Sequence, residues 1–184
     1  TVDLTTQLTP DLPIVEGDPT QLRQVLMNLV INAAEAIVDG SGTITITTDA
    51  REWHRRDLQD ADLSDDLPPA RYVEIAVHDT GCGMDAETRE RVFEPFFSTK
   101  FLGRGLGLAS VLGIVQGHAG AIGVVSEPER GTAFRVLLPV HEGAVIRIEP
   151  PARPTVAAPA RKNRGIALVV DDEPALRKVV GMML

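Results

Sequence analysis

The sequence predicts an α/β two-layer sandwich, in which helices cover one face of a mixed β-sheet, followed by a truncated βα unit at the C-terminus. Two observations lead to this prediction. Segments whose apolar residues recur at helical spacing are interspersed with segments whose apolar residues recur at every second position. A helix with a single apolar stripe has to bury that stripe against another layer, and a sheet with one covered face provides it.

The first predicted element is a helix from Asp18 to about Asp39. Asp18 can cap its N-terminus, Pro19 suits the first turn, and Gln21 completes a capping-box spacing. A single apolar stripe follows at helical spacing, formed by Leu22, Val25, Leu26, Leu29, Ala33 and Ile37. After a glycine-containing turn, residues 43–47 alternate at period two and are predicted to form a strand.

Residues 51–70 are polar and rich in aspartate, which favours a surface excursion to which no function is assigned. The next predicted strand spans residues 72–78 and places Val73, Ile75 and Val77 on its covered face. Asp79 continues that face at period two, so a carboxylate is expected to point toward the buried side.

The remaining elements of the domain are two helices and two strands. Asp85 can cap a short helix to about Val92, and the glycine stretch 103–107 opens a longer helix that ends near Gly117. Strands are predicted at 121–126 and 132–138. The expected domain boundaries are 1–139 for this unit, 140–164 for a Pro/Ala-rich linker, and 165–184 for the start of a further domain.

The bulk composition limits the classes of function. The chain has 184 residues, 43% of them hydrophobic, and a formal net charge of -8, which disfavours nucleic acid as a partner. A single cysteine, Cys82, excludes a disulfide framework and indicates a reducing, cytoplasmic location. No apolar run approaches the roughly 20 residues of a membrane-spanning helix, so we expect no direct membrane contact. Both ends look cut, and the sequence is expected to be a fragment.

Three polar or glycine-rich groups are candidates for chemistry. Asn28, Asn32 and Glu35 lie at i, i+4 and i+7 on one shoulder of the first helix, where an amide oxygen can serve as a neutral ligand for Mg²⁺. Asp79 precedes two glycines that let a backbone approach a ligand, and its carboxylate can accept a hydrogen bond from the amine of adenine. The 103–108 run, Gly-Arg-Gly-Leu-Gly-Leu, leads into a helix whose first amides can bind phosphate.

Each group alone is also compatible with an ordinary role, as exposed or capping amides, a plain turn, or a loop with glycine turns. Neither a Walker A motif nor the dinucleotide-binding Gly-x-Gly-x-x-Gly after a first strand is present, and no protein-kinase catalytic loop occurs. The common nucleotide-binding folds are therefore excluded.

The order of four motifs resembles the Bergerat-type ATP-binding domain shared by histidine kinases, gyrase-type topoisomerases, heat-shock chaperones and mismatch-repair ATPases. The motifs resemble its N box at 24–33, G1 box at 79–83, F box at 93–97 and G2 box at 103–108, and the likeness covers about 11–139. The resemblance implies ATP and Mg²⁺ as cofactors. It implies contacts from Asn32 (to Mg²⁺), Asp79 (to the adenine amine), Gly81, Gly83, Lys100 (to the terminal phosphate), Gly103, Gly105, Leu106, Gly107 and Thr132.

The position of Asn28 favours the histidine-kinase branch of that family. Members that hydrolyse ATP carry a Glu one helical turn before the metal-binding Asn, where it acts as general base. An amide at Asn28 cannot accept a proton at neutral pH, so phosphoryl transfer to a nucleophile from elsewhere is expected. We expect a protein-histidine kinase in which Asn28, Asn32 and Lys100 are catalytic. A gyrase- or chaperone-type ATPase switch and a degenerate nucleotide-sensing scaffold are the alternatives.

The C-terminal segment resembles the opening of a response-regulator receiver domain, which implies a hybrid kinase in two-component phosphorelay signalling. Asp171 and Asp172 follow an apolar run and would bind Mg²⁺ in a complete receiver. None of the four histidines, at 54, 78, 118 and 141, has the family's phosphoacceptor context, so the acceptor is expected upstream of Thr1. The expected partners are a dimerisation and histidine phosphotransfer domain and a receiver or cognate response regulator, in a homodimeric full-length protein that segments absent here could tether to a membrane.

Overall fold

A computed structural model describes residues 2–38, 41–54, 67–99 and 105–141 of the chain. These residues form five strands and three helices: β1 (Val2–Leu8), α1 (Pro19–Ala36), β2 (Gly42–Trp53), β3 (Ala70–Asp79), α2 (Ala86–Arg91), α3 (Gly107–Gly117), β4 (Ala121–Glu127) and β5 (Gly131–Pro139). The sheet order is β1-β2-β3-β5-β4. β1 pairs with β2 in parallel and the other neighbours pair antiparallel, so the predicted mixed sheet is confirmed.

α1 begins where its sequence signals place it. The Asp18 carboxylate accepts hydrogen bonds from the backbone N–H groups of Thr20 at 2.7 Å and Gln21 at 3.4 Å, and a proline occupies the first turn. Its predicted stripe is buried at Val25, Leu29 and Ala33. The predicted helix is therefore confirmed, and it ends at Ala36.

The main core lies between the helices and one face of the sheet. The stripe of α1 and two valines of α3, Val111 and Val115, are buried against residues that alternate along the strands. The strand residues of this core are Ile44, Ile46, Val77, Ile122, Val124, Phe134, Val136 and Leu138. Helices on one face of a sheet, as the sequence predicts, account for this arrangement.

The second face of the sheet carries a smaller apolar cluster of Trp53, Leu67, Tyr72, Ala121 and Leu137. Trp53 is 1% exposed to solvent and Leu67 is 8% exposed. The prediction of a polar excursion over 51–70 was therefore wrong at both ends, because β2 continues to Trp53 and pairs there with the start of β3. Polar residues at 51 and 52 mask this pairing in the sequence, and residues 55–66 lie outside the described part.

Two features at the ends of the described chain were not predicted from the sequence. β1 was not predicted, and all seven of its residues are exposed. After β5, Val140 forms a bridge with Val15, and the His141 N–H donates to the Ile14 carbonyl at 2.8 Å. The chain divides into two units, Thr1–Val145 and Ile146–Leu184, and every described residue belongs to the first. No helix among the described residues is long and apolar enough to cross a membrane.

Candidate functional site

Asp79 ends β3 with its side chain on the helical side of the sheet, as period two predicts. It is 6% exposed. Its Oδ1 accepts hydrogen bonds from the backbone N–H of Gly81 at 2.8 Å and of Thr132 at 3.3 Å. These two bonds fix the plane of the carboxylate at the boundary between the sheet and the helical layer.

The glycines after Asp79 allow two close backbone contacts. A Cβ on Gly81 would lie 2.7 Å from the carbonyl oxygen of Ala36, and the neighbouring Cys82 N–H donates to that same oxygen at 3.0 Å. Gly83 has φ +66, and a Cβ there would collide with the carbonyl oxygen of Glu127. Gly81 thus packs on α1, whereas Gly83 packs on the turn between β4 and β5.

A buried hydroxyl network, which the sequence reasoning missed, supports the same turn. Ser126, 5% exposed, receives the Met84 N–H at 2.9 Å and donates to the Gly131 carbonyl at 3.0 Å. Its oxygen lies 3.0 Å from Oγ1 of Thr132. Since the one proton of Ser126 goes to Gly131, Thr132 is the donor in that contact. A serine on the covered face of a period-two strand was the available signal.

Two amides of α1 face the beginning of α3. Asn32 Nδ2 donates to the Asn28 carbonyl at 2.9 Å, and Asn28 Nδ2 donates to the Gly107 carbonyl at 3.4 Å. Each bond uses the nitrogen and so defines which branch of the amide is the oxygen. The orientation of both side chains is therefore set by backbone partners.

A backbone hydrogen bond joins the two ends of the segment between the F-box phenylalanines and α3. The Phe96 N–H donates to the Gly105 carbonyl at 2.9 Å, and Gly105 has φ +62, where a Cβ would collide with the backbone of Phe96. The guanidinium of Arg91 lies 4.3 Å from the ring centroid of Phe97 and its Nε lies 3.1 Å from Glu94. These contacts fix both ends of the segment, of which residues 100–104 lie outside the described part.

One cavity of about 530 Å³ lies between these elements, a volume typical of a site for a small molecule. Its polar wall includes Asn28, Asn32, Glu35, Asp79, Ser98, Thr99 and Thr132. Its apolar wall includes Ile31, Val38, Met84, Val92, Phe97, Leu108 and Phe134. Across the described ranges, no three His, Cys, Asp or Glu side chains converge as a metal-binding group.

Residues 17–142 match the family described as histidine kinase-, DNA gyrase B-, and HSP90-like ATPase. The chain belongs to this family. As a member of the histidine kinase-like ATPase family, it is 38% identical over 179 residues to the sensor kinase CckA of Brucella abortus, a match covering 91% of this chain and 18% of CckA. It is 38% identical over 156 residues to the sensory histidine kinase/phosphatase NtrB of Azospirillum brasilense, covering 85% of this chain and 36% of NtrB. The chain thus spans about a fifth to a third of these curated relatives.

Solved structures of histidine kinases share the fold of this ATPase-family chain. Full-length ShkA in complex with AMPPNP matches with a TM-score of 0.60 and 29% identity, covering 78% of this chain and 27% of that one. The catalytic domain of the histidine kinase ThkA matches with a TM-score of 0.57 and 31% identity, covering 76% of this chain and 79% of that one. The described residues therefore have the fold of a sensor histidine kinase catalytic domain.

The structure brings most of the predicted site residues of this ATPase-family domain to this cavity. Those that line it are Asn28, Asn32, Asp79, Gly83, Gly105, Gly107 and Thr132. Gly81 and Leu106 are not among the lining residues; Gly81 packs on Ala36, and Leu106 is 45% exposed. Lys100, Gly103, Asp171 and Asp172 lie outside the described residues. Cys82 and Thr88 line the cavity and were not predicted to do so.

Proposed function

We propose that this chain is the ATP-binding catalytic part of a sensor histidine kinase, which transfers the γ-phosphoryl of ATP to a histidine on another domain of a longer protein. The observation that supports this most is the meeting of Asn32 and Asp79 at one cavity of about 530 Å³. The helix side of that cavity offers amides to phosphates, and the sheet side offers a carboxylate to a base.

The sheet side suits adenine. With Oδ1 of Asp79 bonded to two backbone amides, Oδ2 is the atom that we assign to the exocyclic amine of adenine. The hydroxyl of Thr132 donates its proton to Ser126, so its oxygen can only accept a hydrogen bond from a ligand. The Cβ-free backbone of Gly83 and the side chains of Met84 and Phe134 complete walls for a flat ring.

The helix side suits phosphates. Gly107 begins α3, and a helix N-terminus has unpaired amides that bind anions. Among the described residues, the atom nearest to a Cβ built on Gly107 is Asn32 Nδ2, at 3.8 Å. A phosphate can therefore approach the backbone there. The predicted contacts of Lys100, Gly103 and Gly105 with phosphate belong to the same proposal.

The donor set near Asn32 fits Mg²⁺ when it is bound together with the nucleotide. The amide orientation set by Asn28 leaves Oδ1 as the ligand-type atom of Asn32, and Glu35 also lines the cavity. The remaining ligands in this proposal are phosphate oxygens and water, which Mg²⁺ commonly keeps when it binds with a nucleotide. Bound there, the ion would neutralise charge on the transferring phosphoryl group.

Asn28 favours transfer over hydrolysis. It lies one turn before Asn32, lines the cavity, and bonds the Gly107 carbonyl through its nitrogen. Since an amide cannot take a proton from water at neutral pH, attack by water should be poor, and we assign the attack to an imidazole on another domain of a longer protein. The dimerisation and histidine phosphotransfer domain, a homodimeric whole protein and a cognate response regulator are parts of this proposal.

We also propose the hybrid arrangement, with a linker at 140–164 and the start of a receiver domain at 165–184. The match to CckA supports a shared C-terminal extension, since it covers more of the chain than residues 1–142 can supply. Asp171 and Asp172 would bind Mg²⁺ in the complete receiver. The net charge of -8 supports the absence of nucleic acid among the partners, and a cytoplasmic location agrees with both assignments.

Calorimetric titration of the 184-residue chain with Mg-AMP-PNP, paired with a measurement of steady ATP hydrolysis, tests this function. A kinase catalytic domain should bind the analogue with 1:1 stoichiometry and hydrolyse ATP negligibly. Steady turnover by the chain alone would support the ATPase switch instead, and failure to bind would support the degenerate scaffold.

A further inference from the structure

The side chain of His118 connects the two helices that border the cavity, at their ends remote from it. His118 follows α3, and its Nδ1 lies 2.7 Å from the carbonyl oxygen of Ile114 in the last turn of that helix. Its Nε2 accepts a hydrogen bond of 3.0 Å from the backbone N–H of Asp18, the N-cap of α1. One imidazole therefore bonds to both helices.

These partners define the protonation state of the ring. A backbone N–H can only donate, so Nε2 must offer a lone pair to Asp18. A backbone carbonyl can only accept, so the proton is on Nδ1. The arrangement requires neutral His118 in its Nδ1–H form.

Gly17 provides the space in which the ring reaches Asp18. A Cβ at position 17 would lie 2.8 Å from Cδ2 of His118 and 3.1 Å from its Nε2. These distances are shorter than ordinary contacts between such atoms, so even alanine would displace the ring. The glycine and the histidine therefore act as a pair.

The His118 bond lies at one end of a row of polar links between α1 and α3. Gln24 Nε2 donates to Ser110 Oγ at 3.3 Å, and Asn28 Nδ2 donates to the Gly107 carbonyl at 3.4 Å. From link to link the residue numbers rise along α1 and fall along α3, so the two helices run antiparallel. The last link lies at the cavity wall, where α3 begins.

We propose that His118 is a positioning residue that sets the register of α3 against α1, and so aligns the amide end of α3 with Asn32. It does not touch the nucleotide. The inference rests on the proposed function, which assigns phosphates to these two helices and adenine to β3 and β5. A slide of α3 along α1 would move the phosphate donors away from Asn32 while leaving Asp79 and Thr132 in place.

The test compares two ligands in two variants of the 184-residue chain. In His118→Asn the amide nitrogen can replace Nδ1, but no atom replaces Nε2, whereas in His118→Gln the amide oxygen can reach the Asp18 N–H. We expect His118→Asn to bind Mg-AMP-PNP about five- to tenfold more weakly, the effect of one lost hydrogen bond. Adenosine affinity, followed by NMR titration, should stay within about twofold, and His118→Gln should recover most of the loss.

Gly17→Ala gives a second perturbation, since its Cβ displaces the ring without changing its chemistry, while also coming within 3.0 Å of Leu22 Cδ1. It should reproduce the selective loss, and its effect should shrink in the His118→Asn background, because paired residues are not additive. His141→Asn, on an exposed histidine outside both helices, is the matched control and should change neither affinity.

The outcomes separate the two proposals. If Mg-AMP-PNP and adenosine affinities fall together, or if neither changes while only the melting temperature drops, His118 has a general structural role and the inference is overturned. If the unaltered chain binds no Mg-AMP-PNP, the proposed function itself is refuted.

Discussion

Asp79 is 6% exposed, and two backbone N–H groups donate hydrogen bonds to its Oδ1. A buried charge without such donors would be costly. The donors come from Gly81, two residues along the chain, and from Thr132 on the neighbouring strand β5. The same bonds that stabilise the carboxylate thus orient its second oxygen.

Asp79→Asn should weaken ATP binding with little effect on folding. The Asn oxygen can keep both backbone bonds, which places the NH₂ group where Oδ2 stood and sets a donor against the adenine amine. We expect the dissociation constant for Mg-AMP-PNP to rise about 10- to 100-fold, measured by calorimetry. Asp49→Asn, an exposed aspartate of β2 bonded to its neighbour Ala50, is the control. Unchanged affinity in Asp79→Asn would contradict the adenine assignment.

Asn32→Ala should remove the dependence of nucleotide binding on Mg²⁺, since the variant lacks the amide oxygen that we assign to the ion. Affinity for AMP-PNP should be nearly the same with Mg²⁺ and with EDTA, and a full-length protein with this substitution should lose autophosphorylation. Gln116→Ala removes an exposed amide from α3 and should leave the Mg²⁺ effect intact. Autophosphorylation near the normal rate in Asn32→Ala would refute the metal assignment.

Single residues show where sequence reasoning succeeds and where it stops. Asp79 and Asn32 both line the cavity, and the face that each occupies could be predicted because periods of 2 and 3.6 determine the face of a strand or helix. Ser126 was missed because its partners, Met84, Gly131 and Thr132, come together only after the sheet has formed. The G1 motif likewise could not distinguish Gly81, which packs on α1, from Gly83, which lines the cavity.

Among the elements, α3 offers a matched pair of glycines. A Cβ on Gly107 would approach Asn32 Nδ2 at 3.8 Å and Asn28 Oδ1 at 3.9 Å, so Gly107→Ala fits the protein but projects toward the proposed phosphate site. Gly113 has nothing within 4 Å of its Cβ position. Gly113→Ala should stabilise the fold by about 1 kcal/mol with unchanged binding, whereas Gly107→Ala should weaken Mg-AMP-PNP binding without lowering the melting temperature. Equal affinities in both variants would contradict the role of Gly107.

α2 should lose its N-terminal cap in acid. Hydrogen bonds from the side chain and then the backbone of Thr88 hold the pKa of Asp85 below its ordinary value. Because the folded-state pKa is lowered, the ionised cap stabilises α2 fully above the unfolded-state pKa of about 4. This stabilisation is lost as the pH falls through the folded-state pKa. Backbone ¹³C shifts of 86–91 between pH 6 and pH 2.5 should report the loss. Asp85→Asn should show no such transition, and an identical titration in that variant would rule out the cap.

At the scale of the whole molecule, the order of layers was predictable but the edges of the sheet were not. Amphipathic helices and alternating strands require a sheet with helices packed on one face, which the structure has. β1 was not predicted because all of its residues are exposed, so its sequence shows no buried face. Its hydrogen-bond partners come from β2. The burial of Trp53 was not predicted for a similar reason, since it depends on Leu67, Tyr72 and Leu137, which lie outside its own segment.

The C-terminal boundary of the domain can be tested by truncation. The described residues that line the cavity fall between 28 and 134, and the last described ties of the chain are Val140 N–H to the Arg71 carbonyl and His141 N–H to the Ile14 carbonyl, at 3.1 and 2.8 Å. A chain ending at 141 should therefore keep the melting temperature of the domain and its stabilisation by Mg-AMP-PNP, which mass action sets at about 2.7 kcal/mol when the ligand is at 100 times its dissociation constant. A chain ending at 139 lacks both ties and should melt at a lower temperature but still bind the analogue. If the chain ending at 141 fails to bind, residues 142–184 belong to the catalytic unit and the proposed division into domain, linker and receiver is wrong.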